Sequence, residues 1–220
     1  MSMKIKQDEL FERWRAQRPN FVADGIVNEV AYLKAPRRLV FILKEVNSPG
    51  EGNWDLVESQ LRSGASKLTW INMAIWTHGL INLEREIEWK LYDSRDVDFR
   101  IESLKYGCYV NIKKSPGEST ADEKLINNEA LSDAIFIREQ INTYDPHLII
   151  CAGTGDTFFD VCNYQEKSWN RTSRGMYYFL NENGIPVLSC PHSSARVSSN
   201  ILYYSIMDAA REVLGKCVRM

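Results

Sequence analysis

The chain predicts an α/β fold: three layers, α/β/α, around a central, mainly parallel four-stranded sheet. Two observations carry this. Short apolar runs of strand length at 38–44, 106–112, 147–151 and 185–190 alternate with longer segments of helical periodicity. Each run then ends abruptly in a polar loop marked by Gly, Pro or Ser, and strands joined through helical crossovers lie parallel with helices on both faces.

Taken in order, residues 7–18 place Leu10, Phe11 and Trp14 on one helical face, and Pro19 stops the run. Residues 20–37 carry only punctuation, with a turn signal at Asp24-Gly25 and a break at Pro36. The first core strand, 38–44, is apolar throughout from Leu39 to Leu43, as a strand buried on both faces should be. Asn53 and Ser66 are candidate N-caps for helices over 54–62 and 67–78, the second ending at Gly79. That helix spaces Leu68, Ile71 and Ile75 for burial, and core placement is the favoured reading of Trp70 and Trp76 beside them. Residues 82–104 are charge-rich and helical in part. After the strand at 106–112, Ser119 and Asp122 form a capping-box pattern opening a long helical stretch to Tyr144, with Leu131, Ala134, Ile135 and Ile141 toward the core. The third strand follows Pro146. Residues 176–180 suit an edge strand, Asn183-Gly184 a turn, and 185–190 the fourth core strand. A terminal helix over 199–214 buries Leu202, Ile206, Ala209 and Val213, with Gly215 as its cap. The chain is expected to form one domain over 1–220, with 1–37 a helical and irregular extension packed on it.

Composition narrows the class. Lys and Arg total 27 against 29 Asp and Glu, a net charge of −2 that gives no whole-chain argument for a polyanionic partner. No apolar run reaches membrane-spanning length, and the charged start MSMKIKQDELFERW is unlike a secretory signal, so no membrane partner is expected. The five cysteines are scattered and form no CxxC pair, which points to buried thiols in a reducing cytoplasm.

The strand exits hold the candidate chemistry, because open α/β sheets bind ligands beyond the carboxyl ends of their strands. The first exit offers Glu45 and Asn47, and the second Asn111 followed by Lys113 and Lys114. The third, Ala152-Gly153-Thr154-Gly155-Asp156, is a glycine-bearing turn whose backbone N–H groups suit a phosphate. The fourth supplies His192, Ser193, Ser194 and Arg196. A buried amide such as Asn111 needs a partner, and its donor and acceptor match a pyrimidine edge. Each exit also has an ordinary reading: a loop carboxylate, a strand amide bonded to backbone, a solvated Lys pair, a ligand-free glycine turn, a satisfied loop histidine.

As an ordered set these motifs resemble the uracil-DNA glycosylase superfamily over roughly residues 38–215. LKEVNSPG is similar to its first motif, a strand leading to a loop of the type G-Q-D-P, G-I-N-P or G-E-A-P-G. YVNIKKSPG resembles the Y-I-T-N-x-V-K segment, PHLIICAGTGDTFF the P-x-x-I-x-x-L-G element before a helix, and CPHSSAR the H-P-S motif. There are departures. Lys44 stands where the opening Gly would be, Ser193 replaces the Pro after the His, and the first motif aligns either on Glu45 or, shifted by one residue, on Asn47.

The resemblance implies a monofunctional DNA N-glycosylase without a cofactor, acting on a flipped-out uracil or other modified pyrimidine, a bulky phage-type base included. Its setting would be base-excision repair or phage defence. Asn111 would read the base edge, with Trp54 stacking on it, and His192 would bond the departing base as negative charge builds. Glu45 or Asn47 would position water and stabilise the cationic sugar. Lys113, Thr154, Gly155, Ser193, Ser194 and Arg196 would contact DNA, helped by Lys114, Arg171 and Arg174. No iron–sulfur cluster or metal is expected, since the cysteine spacing for a cluster is absent, and a monomer is expected. The alternatives are a catalytically inactive nucleic-acid or nucleotide-binding module of the same fold, and a nucleoside hydrolase.

Overall fold

The computed structural model describes residues 2–47, 54–94, 96–117, 122–162 and 168–217. It is an α/β structure whose main sheet, among the described residues, has seven strands of mixed direction rather than four. Four of these lie side by side and parallel: β4 (Gly107–Asn111), β2 (Leu39–Leu43), β6 (Leu148–Ala152) and β9 (Pro186–Cys190). They coincide with the apolar runs of the sequence. The sheet is wider because β1 (Gly25–Ile26) adds antiparallel to β4, while β8 (Tyr177–Leu180) and β7 (Asn170–Arg171) extend it antiparallel beyond β9. A separate two-stranded ladder joins β3 (Val46–Asn47) to β5 (Pro116–Gly117), just past the carboxyl ends of β2 and β4.

Alternation along the strands divides the core. Leu39, Phe41, Leu43, Tyr109, Ile150 and Leu188 pack on one face with α4 (Leu68–Ile81) and α9 (Ser199–Cys217). Val40, Ile42, Cys108, Val110, Ile149 and Val187 pack on the other with α1 (Met3–Arg15), α6 (Glu123–Ser132), α7 (Ala134–Tyr144) and α8 (Gly155–Cys162). The shorter helices are α2 (Glu29–Lys34), α3 (Leu56–Arg62) and α5 (Val97–Leu104), with a 3₁₀ turn at Trp89–Tyr92. The amino-terminal segment is thus built into the sheet and the core. It contributes β1 to the sheet, and Leu10, Phe11 and Trp14 of α1 are buried.

Local differences from the sequence expectation have physical causes. Helix α4 runs through Gly79 to Ile81, since this glycine serves close helix contact: a Cβ there would lie 2.5 Å from the Tyr203 ring of α9. Asp55 caps α3 through the backbone N–H of Glu58; Lys67, not Ser66, precedes α4 and makes no side-chain cap; and Gly215 lies inside α9. Asn53 and Ser119 lie outside the described residues. The expected long helix up to Tyr144 is broken at Asp133, whose carboxylate accepts from the Arg18 guanidinium at 2.9 and 2.8 Å. That break shifts the helical phase, so Leu131 and Ile135 are 44% and 70% exposed while Ile126, Ala130, Ile137 and Ile141 face the core.

Candidate functional site

The strand order positions the site. From β2 the chain crosses to β4 on one side, and later strands β6 and β9 fall on the other, so the carboxyl ends of β2 and β6 flank a topological switch point. Lys44 and Glu45 leave β2 there, and Gly153 and Thr154 leave β6. Gly153 has φ +74°, and a Cβ on it would lie 3.1 Å from His192 Cβ, so the absence of a side chain lets the β9 exit settle against the β6 exit.

His192 is half-buried at this edge. The Ser194 backbone N–H donates to its Nδ1 at 3.2 Å, and the Ser194 hydroxyl lies 2.9 Å from the same nitrogen. A backbone N–H can only donate, so Nδ1 is the acceptor and the neutral ring carries its proton on Nε2. Burial lowers the imidazole below its ordinary value, Lys44 lowers it further, and Glu123 opposes. Lys44 and Glu123 are themselves an ion pair, so the β2 exit, the start of α6 and His192 form one electrostatic unit. Acidification would put a proton on Nδ1 facing the Ser194 N–H, donor against donor. Replacing Lys44 with Met should therefore raise the His192 titration midpoint, by less than burial lowers it, as followed by NMR of the ring protons. An unmoved midpoint would separate Lys44 from the site.

Glu45 is also at this edge, but its carboxylate turns toward the β4 exit. Lys113 Nζ donates to Glu45 Oε2 at 2.6 Å and to the carbonyls of Pro116 and Ser115 at 3.0 and 3.2 Å. The two side chains are 7% and 2% exposed. Gly117 makes room for this pair, since a Cβ there would overlap the Glu45 carboxyl group. Among the described residues no hydrogen bond joins Glu45 to His192. Asn47 pairs with Gly117 in the small ladder, but its side chain, like Ser48–Gly50, lies outside the described residues.

Asn111 ends β4 opposite Leu43 and is 2% exposed. Alternation places it on the Tyr109 face, the one covered by α4. Its Nδ2 is buried without a hydrogen-bond partner among the described residues. Sequence reasoning missed Asn72 of α4, whose Nδ2 donates to the Ser193 carbonyl at 2.6 Å and so ties the His192 loop to the helix. Asn72 Oδ1 and the buried Ser193 hydroxyl likewise lack partners among the described residues. The available signal was a single amide inside the apolar stretch Trp70–Ile75.

Several expected DNA contacts are placed elsewhere. Lys113 is buried on Glu45, and Lys114 is fully buried on Asp24, so neither presents charge to a surface. The Thr154 hydroxyl donates to the Ile42 carbonyl at 2.8 Å, holding the β6 exit to β2. Gly155 is buried against Ser189, where a Cβ would clash. Ser193 is buried, while Ser194 and Arg196 are exposed at the His192 edge. Arg171 and Arg174 sit at the far β7–β8 end, the first bonded to the Tyr177 hydroxyl at 2.7 Å and the second 3.2 Å from Asp208. Trp54 lines a different groove of about 830 Å³ between α1 and α3, with Phe11, Arg15 and Arg62, which neither His192 nor Asn111 reaches.

Cys108 and Cys151 are fully buried, and burial pushes both thiols well above their ordinary range, so they are unreactive core residues. Among the described residues no group of three or more His, Cys, Asp or Glu side chains could hold a metal ion, and no helix is long and apolar enough to cross a membrane.

The fold and edge define an α/β protein with a polar site at a topological switch point. No protein-family model matches the chain, and no curated protein sequence matches it.

Proposed function

We propose that this chain is a divergent, monofunctional DNA glycosylase of the uracil-DNA glycosylase kind, hydrolysing the N-glycosidic bond of a flipped-out uracil or other modified pyrimidine. The three-layer α/β/α arrangement belongs to this reading. The observation that carries it is the buried Asn111 Nδ2, without a partner among the described residues, at the same sheet edge as a histidine whose Nε2–H is its donor. An orphan buried donor costs about 1–3 kcal/mol, which a carbonyl of a bound pyrimidine would offset. His192 Nε2–H would then donate to the departing base as it becomes anionic, electrostatic stabilisation of developing charge. Because Lys113 pairs with Glu45, that carboxylate is already engaged within the protein, and in this reading the stabilisation of sugar and water is assigned to Asn47, the other residue the first motif offers.

A nucleoside hydrolase is the second reading, favoured by the burial of Lys113 and Lys114, which removes two cations that a DNA backbone would need. The test incubates the protein with uracil-containing and modified-base duplexes, cleaves abasic sites with alkali, and assays free nucleosides in parallel. Scission of a duplex, with salt-sensitive binding, is the expected result. Cleavage of nucleosides alone would establish the second reading, and binding without scission would leave a non-catalytic module. Within an active enzyme, Asn47→Ala should be severe and Glu45→Gln mild.

A further inference from the structure

Asp24 plays no part in the chemistry described above, yet it is the hub of a fully buried polar network. Lys114 Nζ donates to its two oxygens at 2.6 and 2.7 Å, and Gln140 Nε2 donates to Oδ1 at 2.9 Å. Gln140 also reaches the Tyr144 hydroxyl at 2.9 Å, which donates to Gln7 at 2.6 Å. Lys114 Nζ lies 5.0 Å from the Trp14 ring centroid. An ion pair so deeply buried gains little net stability over apolar side chains of similar volume, so its retention calls for a reason of geometry.

The geometry supplies one. Strand β1 begins only at Gly25, opposite Tyr109, so it provides no backbone acceptor for the edge-facing N–H of Asn111. Asp24 Oδ2 takes that N–H at 2.7 Å, continuing the ladder with a side chain. The same carboxylate holds Lys114 Nζ, and the Lys114 carbonyl accepts from the Val22 N–H at 2.7 Å. Asp24 therefore grips both ends of the segment Asn111–Lys114, and within it Lys113 reaches out to fix Glu45.

We infer that Asp24 is a positioning residue: through Lys114 and the Asn111 backbone it sets where the Asn111 amide and the Glu45-bearing loop stand at the sheet edge. The amino-terminal segment is then part of the site machinery. The catalytic consequence rests on the glycosylase reading, whereas the clamp itself does not.

Two arms keep these apart. In the native chain and in Asp24→Leu/Lys114→Met, which removes the acceptor and leaves no uncompensated charge buried, backbone hydrogen exchange is followed by NMR. The Asn111 amide should exchange at least tenfold faster in the variant, with Tyr109 and Val110 still protected. Equal protection of Asn111 in both proteins would overturn the clamp. On any duplex or nucleoside the native chain cleaves, the variant should lose about a hundredfold in kcat/KM, the scale of a displacement of about 1 Å. It should regain most of that in Asp24→Glu, whereas full activity with a freed Asn111 amide would overturn the positioning role. If the native chain cleaves nothing, the functional reading fails and hydrogen exchange alone decides the clamp.

Discussion

On the proposed glycosylase reading, turnover should fall about 10²–10³-fold in His192→Ala, with DNA affinity nearly intact, the usual loss when one preorganised donor to developing negative charge is removed. Three features make the side chain such a donor. Ser194 occupies Nδ1, which places the proton on Nε2. Asn72 anchors the Ser193 carbonyl at 2.6 Å, so the ring is held before the substrate arrives. Burial and Lys44 keep the ring neutral around neutral pH, so it donates without giving up its acceptor role at Ser194. His192→Gln, which retains an amide donor, should recover part of the rate. Single-turnover cleavage and fluorescence anisotropy on the same duplex separate the terms. A large loss of affinity with an unchanged rate per bound enzyme would contradict the assignment.

What could be read from the sequence was whatever is local. Three of the four central strands are unbroken runs of five buried residues and the fourth, β9, is interrupted only at half-buried Ser189, so a mostly apolar pattern between loop signals reveals them. The two-residue strand β1, half of it glycine, offers no such run, and neither does β7. The polar strand exits were likewise visible, and they do meet at one edge. Their individual fates were not. Lys113 and Lys114 read as cations free for DNA or for water because their partners, Glu45 and Asp24, are 68 and 90 positions away. Asp24 read as a turn residue before glycine for the same reason. A short sequence window sees charge, but only the folded topology shows whether that charge faces water or another charge.

Lys114→Met should destabilise the chain by about 3–5 kcal/mol at neutral pH, a large share of the roughly 5–15 kcal/mol that holds a domain folded. The substitution fills most of the same volume, so the cost is electrostatic. Asp24 keeps the N–H groups of Gln140 and Asn111 but loses its only cation among the described residues. Burial already pushes the Asp24 carboxyl above its ordinary value while Lys114 pulls it down, so removing Lys114 moves it further up. The sign follows. With the folded-state value raised above the unfolded one, the protonated acid is favoured in the core, and stability is lost as pH rises through the folded-state value. The variant should therefore fall short of the native chain by less at about pH 5 than at about pH 8 in urea denaturation. Asp24→Leu combined with Lys114→Met should be less damaging than the sum of the single changes, because no charge is then left unpaired. A loss under about 1 kcal/mol in Lys114→Met, or a deficit independent of pH, would mean that water reaches Asp24. The buried clamp on Asn111 would then not exist in solution.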